Sequence, residues 1–510
     1  MNPNLNLSKS LYTKGLQCKK SLWLKKYKPK VLSPPSDMTQ SIFEQGNEVG
    51  DLACDLFPGG KEIPFNPDNF EEMKALTQSY LDEGVKDIFE ATFKYDDILV
   101  MVDMLHQKEN GRFEIYEVKS STWSNSKSIA DIDKYVHDAS IQYYVLNGLG
   151  FDISDVYITL LNKDYVRGSQ LDIEQLFSHV KVTREVLSLL PQIPSTLESF
   201  RETLKDTDNE PNIDIGTHCK KPYHCDAYEY CWKTQRSIPD YSVFNIFTTN
   251  NKSLELYKEG IINVEDIPED SISTETQRFY IDVWRDKKKF IDKEAIRLFL
   301  DSLSYPIYHL DFETLAPAIP KFRGASPSTP YPFQYSLHIE YEDGKLIHKE
   351  KLVEPGKDPR EIIAKRLTED IPKDACILAY SMSVEKGVIE KLASLFPIYR
   401  DHLLNLSNNF FDLRKPFQAR YFCTPEMKKL NGLKTVLPIL VPEKKNEYKE
   451  LDLVHNGGEA MDIYKKLGES VAEEGDLETI NRYRKSLIEY CKQDTKAMVD
   501  ILRRLKEITL

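Results

Sequence analysis

Residues 98–119 read ILVMVDMLHQKENGRFEIYEVK, and this stretch predicts the β-hairpin at the centre of an α/β domain. A first apolar strand ends at Asp103, and a second strand is predicted over 113–118. Side chains two positions apart in a strand share a face, so Glu117 and Lys119 point the same way, toward Asp103 across the hairpin. Two carboxylates beside an ammonium group can hold a divalent metal ion, whereas an exposed hairpin with solvated charges is the simpler interpretation.

The composition describes an ordinary globular protein. At 510 residues the chain is long enough for roughly two to four domains. Its net charge of -13 argues against nucleic-acid binding through bulk charge, but it leaves a local basic groove open and fits acidic metal sites. The sequence has no apolar run that would span a membrane and no secretory signal, so we expect a cytoplasmic protein without membrane contact.

Further elements around the hairpin indicate an α/β domain. A short strand over 89–93 presents Glu90 on one face, and a helix containing Gln142 follows the hairpin. Another apolar strand is predicted over 156–161. Strands that alternate with helices are typical of α/β folds.

A basic and aromatic segment lies near the N-terminus. Lysines between positions 19 and 30 are interleaved with Trp23 and Tyr27, and Ser8 is a candidate helix cap upstream. This pattern suits a surface that follows phosphates and stacks bases. The face of a solvated amphipathic helix is an equally good interpretation.

Cysteine spacing predicts a metal site that joins distant parts of the chain. Residues 218–232 read HCKKPYHCDAYEYCW, and the candidate ligands are three evenly spaced cysteines in this stretch with one far upstream, namely Cys18, Cys219, Cys225 and Cys231. Four thiolates fit a [4Fe–4S] cluster or a zinc ion. The spacing lacks the CxxC pairs of zinc ribbons, which favours iron–sulfur, while His218 and His224 leave a mixed zinc site open.

These features together resemble one nuclease family. Residues 1–235 are similar to RecB-family PD-(D/E)XK nucleases with an iron–sulfur clasp, which include the CRISPR adaptation exonucleases and the AddB nuclease domain. The resemblance implies a restriction-endonuclease-like domain closed by a four-cysteine clasp. The implied ligands of Mg²⁺ or Mn²⁺ are the side chains of Asp103 and Glu117 and the carbonyl of Val118, with Glu90 as an auxiliary ligand. Lys119 would be catalytic.

The helix after the hairpin matches this family in part. Gln142 corresponds to the glutamine of the QxxxY motif, but the tyrosine of that motif falls on Leu146. The histidine that many members carry falls near Gly50, so Glu48 or Glu90 would substitute for it as a ligand.

A second group of carboxylates begins in YPIYHLDFETLAP, residues 305–317. Asp311 and Glu313 are two apart on a predicted strand, so both project from one face. A hairpin at Asp343-Gly344, a helix, a buried strand over 376–380 and a further helix follow. This order suits a ribonuclease H-like sheet.

The last predicted helix, 477–507, carries Tyr490 and Asp494 four residues apart on one face. With this helix, residues 301–510 resemble the DEDD family of 3′–5′ exonucleases, in the subclass with tyrosine in the last motif. The resemblance implies metal ligands in three motifs, namely Asp311, Glu313, Glu385 and Asp494, with Asp412 as an alternative acid. It implies that Tyr490 positions the attacking water.

Two shorter stretches bear on the same half. Gly432-Leu433-Lys434 and the turn over 456–460 look like features of an uncharacterised bacterial family that fuses these two halves. Lys434 would contact phosphate or lie on the surface. Residues 236–300 are predicted to be a helical linker with a turn at Asn250-Asn251, and residues 253–270 read as a helix–Gly turn–helix hairpin.

The sequence therefore predicts a metal-dependent nuclease with two centres, each using Mg²⁺ or Mn²⁺. The resemblance favours exonuclease action on single-stranded DNA or DNA ends. The alternatives are a nucleic-acid-binding or scaffold protein in which one or both centres are degenerate, and an RNA exonuclease. The sequence does not indicate a protein partner.

Overall fold

The computed structural model describes residues 5–248 and 251–510 of a mixed α/β chain. The chain forms two compact units. The first contains the chain up to Ser237 and also Pro317–Thr329, and the second contains Ile238–Ala316 and Pro330–Leu510. The stretch predicted as a separate linker, 236–300, lies almost entirely within the second unit.

The strands of the first unit form one sheet. They are β1 (Leu7–Ser8), β2 (Lys61–Glu62), β3 (Asp87–Tyr95), β4 (Ile98–Gln107), β5 (Phe113–Trp123), β6 (Ile153–Asn162) and β7 (Phe177–Lys181). Strands β2 to β7 are neighbours in chain order, and β1 pairs with β4 in parallel. The predicted strands are confirmed, except that β4 does not end at Asp103 but continues to Gln107, and β5 continues beyond 118 to Trp123.

The helices of the first unit cover this sheet. They are α1 (Lys9–Gln17), α2 (Lys19–Tyr27), α3 (Asp37–Ala53), α4 (Phe70–Asp82), α5 (Asp133–Gly148), α6 (Ile173–Leu176), α7 (Thr183–Leu189) and α8 (Ile193–Lys205). The predicted cap is confirmed, because Ser8 Oγ accepts a hydrogen bond from the Leu11 amide at 3.3 Å. Helix α5 packs its long apolar face on the sheet.

The aromatic residues of α2 are not a base-stacking surface, so that interpretation is wrong. Trp23 is fully buried, and Tyr27 donates its hydroxyl hydrogen bond to the carbonyl of Leu204 at 2.8 Å. Lys20 is buried too and pairs with Glu210 at 3.2 Å. The alternation of lysine and aromatic residues therefore reflects a helix packed into the core of the first unit.

The segment Pro317–Thr329 packs on the first unit although it lies between two strands of the second. The Ala318 amide donates to Gln45 Oε1 at 3.1 Å, and the Arg167 amide donates to the carbonyl of Ala325 at 2.9 Å. Ala318 and Ile319 join an apolar cluster with residues of α3 and β3. We call this segment the strap.

The main sheet of the second unit has the order β11-β10-β9-β12-β13. Its strands and those of a small second sheet are β8 (Phe290–Ile291), β9 (Ile307–Leu315), β10 (Tyr331–Glu340), β11 (Leu346–Leu352), β12 (Cys376–Ala379), β13 (Phe410–Asp412) and β14 (Phe422–Cys423). Strands β9, β10 and β11 are antiparallel neighbours, whereas β12 and β13 run parallel to β9. The predicted hairpin at Asp343-Gly344 is confirmed.

The helices of the second unit lie around these sheets. They are α9 (Val243–Ile246), α10 (Lys252–Lys258), α11 (Glu275–Asp286), α12 (Lys293–Asp301), α13 (Pro359–Asp370), α14 (Ser383–Leu395), α15 (Arg400–Asn408), α16 (Lys415–Gln418), α17 (Leu433–Leu440), α18 (Gly457–Ala472) and α19 (Leu477–Thr509). The predicted helix–turn–helix hairpin over 253–270 is wrong, because short 3₁₀ turns follow the Gly260 turn in place of a second helix. The turn predicted at Asn250-Asn251 lies partly outside the described residues.

Candidate functional site

The first candidate centre lies where β4 and β5 separate. The ladder between them covers Met104–Gln107 and stops before Asp103, which would stand opposite Glu117 if the register continued. At its other end β4 pairs with β1, through Leu7–Ser8. The opening between β4 and β5 leaves room for side chains from several elements, and the two carboxylates lie at this opening.

Donors from three elements surround the buried carboxylate of Glu117. Lys119 Nζ donates to Oε1 at 2.5 Å, and Lys9 Nζ donates to Oε1 and Oε2 at 2.9 and 3.0 Å. The side-chain amide of Gln142 donates to Oε2. Burial works against the charged form, but the ammonium groups of Lys119 and Lys9 lower the pKa of Glu117 to about 2. Glu117 is therefore ionised at neutral pH.

Asp103 belongs to the same group. The Val118 amide donates to Asp103 Oδ2 at 2.7 Å, and Lys9 Nζ lies 3.4 Å from Oδ1. Burial, and then the negative charge of Glu117, raise the pKa of Asp103. The predicted hairpin residues are thus brought together, with Lys9 between the two carboxylates.

Glu90 lies on β3, the strand that pairs with β4. Strand β3 pairs with β4 on both sides of Glu90, which places it opposite Asp103. Its φ of 55° lies in the left-handed region, which interrupts the ladder at this position. Burial and then the charge of Asp103 raise the pKa of Glu90 to about 7. A strained non-glycine backbone beside carboxylates is typical of functional sites.

Two members of the first centre were not predicted from the sequence. Lys9 comes from α1, 108 positions before Glu117. Asp138 lies on α5, and its Oδ2 is 3.2 Å from Lys119 Nζ. Asp138 is four residues before Gln142 on a predicted helix, so the helical period could have placed it on the same face. No local pattern marks Lys9.

The departures from the family pattern have a structural basis. Leu146 is fully buried in the core, and Tyr144 donates instead to Asp96 Oδ2 at 3.0 Å. A Cβ at Gly50 would meet nothing within 4 Å, and Glu48 is exposed. At the position of the QxxxY tyrosine, Leu146 therefore packs in the core, and the helix α3 contains no histidine.

The four predicted cysteines line one cavity. Cys18 lies between α1 and α2, Cys219 and Cys225 lie in a loop, and Cys231 lies in a π-helical segment over Glu229–Thr234. All four thiols are free. Burial raises the pKa of Cys231 to about 11; the ammonium of Lys20 opposes this shift, and the thiols of Cys219 and Cys225 add to it. The sequence therefore correctly grouped cysteines more than 200 positions apart.

Contacts from α1 fix the loop that carries these cysteines. Gln17 Nε2 donates to the carbonyls of His218 and Tyr223 at 2.7 and 2.8 Å. Lys14 Nζ pairs with Asp226 at 2.8 Å. His218 also lines the cavity, while the ring of His224 packs 4.7 Å from that of Tyr228.

The second candidate centre lies between β9 and α19. Asp311 and Glu313 project from β9, and their carboxylate oxygens lie with Cys491 Sγ within 4.8 Å of one another. Cys491 Sγ is 3.7 Å from Asp311 Oδ2. Asp494 is buried on the same helix and, after burial itself, its charge contributes most to raising the pKa of both strand carboxyls. The predicted DxE and YxxxD residues are thus brought together.

Two aromatic residues and a lysine bound this second centre. Tyr448 donates its hydroxyl hydrogen bond to Asp494 Oδ1 at 2.5 Å, and no local sequence pattern marks Tyr448. Lys434 Nζ donates to the hydroxyl of Tyr490 at 2.8 Å and lies 4.5 and 4.9 Å from the ring centroids of Tyr490 and Tyr448. Lys434 is exposed, as one of the two interpretations predicted, and its ammonium lies at this centre.

Glu385 is buried with an unpaired carboxylate oxygen, whereas one oxygen of Asp412 holds a turn. Glu385 lies in the first turn of α14, is 5% exposed, and its Oε2 has no hydrogen-bond partner within residues 5–248 and 251–510. Burial raises the pKa of Glu385 to about 7. Asp412 Oδ1 instead accepts the amides of Ser381 and Arg414, both at 2.9 Å. Asp412 therefore holds a turn.

Part of the second unit is similar to a known family model. Residues 308–430 match DUF2779, a domain of unknown function. The matched stretch contains Asp311, Glu313 and Glu385 and ends before the lysine, tyrosine and aspartate residues that complete the centre. A search of curated proteins found no match. Within the described ranges, none of the helices combines the length and apolar composition needed to cross a membrane.

Proposed function

We propose that this chain is a metal-dependent nuclease with two centres, which hydrolyses phosphodiester bonds as an exonuclease on single-stranded DNA or DNA ends. The observation that carries the proposal is the second centre. Its carboxylates come from three elements. Glu313, Glu385 and Asp494 are buried and Asp311 is half-buried, and the ammonium of Lys434 attracts Asp494 and Glu313. Buried like charges are costly without a cation, and hard oxygen ligands select Mg²⁺ or Mn²⁺.

The donor set of the second centre fits two-metal phosphodiester hydrolysis. Divalent ions bound there would polarise the phosphodiester and activate water. Asp311, Glu313, Glu385 and Asp494 would hold them. Tyr490 would position the attacking water through its hydroxyl, which Lys434 fixes by a hydrogen bond of 2.8 Å. The sheet order β11-β10-β9-β12-β13 supports our proposal of a ribonuclease H-like fold of the DEDD type.

The donor set of the first centre fits a PD-(D/E)XK nuclease. Asp103 and Glu117, with the carbonyl of Val118 and with Glu90 as auxiliary, would hold Mg²⁺ or Mn²⁺. Lys119 would orient the attacking water or offset charge on the phosphate, while Asp138 holds its ammonium at 3.2 Å. We propose a restriction-endonuclease-like fold for this unit, supported by the position of these residues at the point where two central strands separate.

We propose a [4Fe–4S] cluster in the four-cysteine cavity, with zinc as the alternative. Four free thiols that line one cavity support either group. The cluster would join α1 to the loop over 219–231, and free thiols fit a reducing cytoplasm. A brown protein with iron and acid-labile sulfide in equal amounts supports the cluster. Zinc in a colourless protein supports the alternative.

A nuclease assay on the full chain tests the proposal. Single- and double-stranded oligonucleotides of DNA and RNA, labelled at either end, are incubated with Mg²⁺, Mn²⁺ or EDTA. We expect metal-dependent shortening of DNA, reduced separately by Lys119→Ala and Asp311→Ala, but not by the controls Lys108→Ala and Asp343→Ala in exposed turns. Preferred cleavage of RNA would change the substrate class. Absence of metal-dependent cleavage of every substrate would overturn the proposal.

One observation favours a second candidate for the first unit, a nucleic-acid-binding module without catalysis. Lys9 lies between Asp103 and Glu117, where its ammonium already balances both carboxylates. In that case the double variant Asp311→Ala Asp494→Ala would retain oligonucleotide binding and lose all cleavage. Residual cleavage that disappears with Lys119→Ala would exclude this candidate.

A further inference from the structure

Lys9 lies at the position that a metal ion between Asp103 and Glu117 would take. Its Nζ is 2.9 and 3.0 Å from the two carboxylate oxygens of Glu117 and 3.4 Å from Asp103 Oδ1. These are the oxygens that the proposed function assigns to the metal. An ammonium at this position and a divalent ion at about 2.1 Å from these oxygens compete, because both would lie between the two carboxylates and their positive charges repel.

The fold delivers Lys9 to this position. Strand β1 pairs with the end of β4 from which β5 is absent, and Lys9 is the next residue after β1. Ser8 caps helix α1, which fixes the backbone at Lys9. The side chain itself has a flexible four-carbon stem, so its ammonium can move while the backbone stays in place.

The charges around Lys9 change when a metal ion enters. Without it, Asp103 and Glu117 hold the ammonium, and they raise the pKa of Lys9 although burial opposes its charge. With it, the two carboxylates are neutralised and the ammonium lies beside a second positive charge. Lys119 keeps Asp138 as a partner at 3.2 Å. A released Lys9 is still attracted by Asp138 and Glu90, and the scissile phosphodiester supplies a further anion for its ammonium.

We propose that Lys9 is an internal cation that competes with the divalent ion for Asp103 and Glu117, and that it donates to a non-bridging phosphate oxygen of the substrate once displaced. This inference rests on the nuclease function proposed for the first unit. It makes Lys9 a second cationic catalytic residue beside Lys119, delivered by a different element.

The test uses the full chain with the second centre disabled by Asp311→Asn and Asp494→Asn, so that tight Mn²⁺ binding reports the first centre. Free Mn²⁺ is measured by electron paramagnetic resonance. We expect Lys9→Met to lower the Kd for Mn²⁺ at least tenfold, and Glu117→Gln to abolish binding. Lys74→Met is the matched control, because it removes a paired lysine of similar exposure from another helix of the same unit.

Lys9→Gln covers the case in which Lys9→Met does not fold, because its amide can still donate to Glu117 without competing as a charge. Mn²⁺-induced thermal stabilisation gives a second measure of affinity, and it should be larger for both Lys9 variants than for the parent. Circular dichroism verifies that each variant is folded before the comparison.

Cleavage at saturating Mn²⁺ tests the contact with phosphate. We expect Lys9→Met to lower kcat about tenfold while Mn²⁺ binds more tightly. Unchanged or weaker Mn²⁺ binding in both folded Lys9 variants would overturn the competition. Tighter binding with unchanged kcat would overturn the phosphate contact. If the Lys9 variants bind Mn²⁺ more tightly but their parent cleaves no substrate, the competition is supported and the nuclease function of this unit is rejected.

Discussion

The two centres differ in how the charge of their carboxylates is balanced. In the first, Lys9 and Lys119 contact Glu117 directly at 2.9 and 2.5 Å, so the chain supplies its own cations. In the second, Glu313 and Asp494 are buried and Asp311 is half-buried beside them, and burial with mutual repulsion raises the pKa of Asp311 and Glu313 well above the usual range. A centre with internal cations is stable without a metal ion, whereas a centre of carboxylates gains stability when a cation binds.

The largest expected effect is on catalysis. Lys119→Ala should lower one metal-dependent cleavage activity about 100- to 1000-fold, since it removes a charge that stabilises the transition state. Asp494→Asn should lower the cleavage activity of the second centre by a similar factor, as Lys119→Ala does for the first. The measurement is end-labelled oligonucleotide cleavage by each variant and by the double variant. If one substitution removed all cleavage, the two centres would not act independently.

The next effect is on the stability of the first unit. Glu117→Gln in EDTA should lower the free energy of unfolding by about 3 kcal/mol, because two buried ammonium groups lose their shared partner. Urea unfolding followed by tryptophan fluorescence measures it, and the transition of each unit is fitted separately. Glu109→Gln in the exposed hairpin turn is the control. Unchanged stability would contradict the role of Glu117 in balancing these cations.

The opposite sign is expected in the second unit. Asp311→Asn in EDTA should raise the free energy of unfolding by about 1 kcal/mol, because the substitution removes a carboxylate that Asp494 and Glu313 repel. Adding Mg²⁺ should reverse the order, because the wild type then gains stability from the ion that the variant binds poorly. Destabilisation by Asp311→Asn in EDTA would break the contrast between the two centres.

The smallest expected effect is a pH dependence of the second unit. Burial, and then the neighbouring His348, lower the pKa of His338 to about 3. As pH falls, the unfolded chain therefore binds a proton at His338 near the usual histidine pKa, whereas the folded chain does not bind it until about pH 3. Stability from this group is complete above that usual pKa and falls as pH drops toward 3. Between neutral pH and about pH 5.5, His338→Gln should reduce the loss of unfolding free energy by about 1 kcal/mol. Urea unfolding at both pH values measures it. An unchanged pH profile would show that His338 is protonated in the folded state.

Local patterns predicted much of the fold and the acidic residues of both centres. The alternation around Glu117 and Lys119, the two-residue spacing of Asp311 and Glu313 and the helical spacing before Asp494 each report a shared face within one element. Such spacing survives folding because it depends on backbone geometry alone. The cysteines were grouped by chemistry, since few residue types bind soft metals.

Contacts set by tertiary structure escaped prediction. Lys9 and Tyr448 reach their centres only because distant elements pack there, and nothing in their own neighbourhood marks them. Trp23 was misread because lysine and aromatic residues alternate both on nucleic-acid surfaces and on helices buried along one face. The extension of β4 beyond Asp103 was missed because a charged residue inside a strand reads as its end.

The strap gives the chain an unusual order of assembly. The strand β9 and the strand β10 of the second unit flank Pro317–Thr329, which packs on α3 and β3 of the first. During synthesis the first unit therefore remains incomplete until Thr329 has left the ribosome, by which time roughly a third of the second unit has been made. If the gene were divided after Ser237, the N-terminal fragment would lack the strap that packs on it. The C-terminal fragment would carry the strap as a loop without its packing partners.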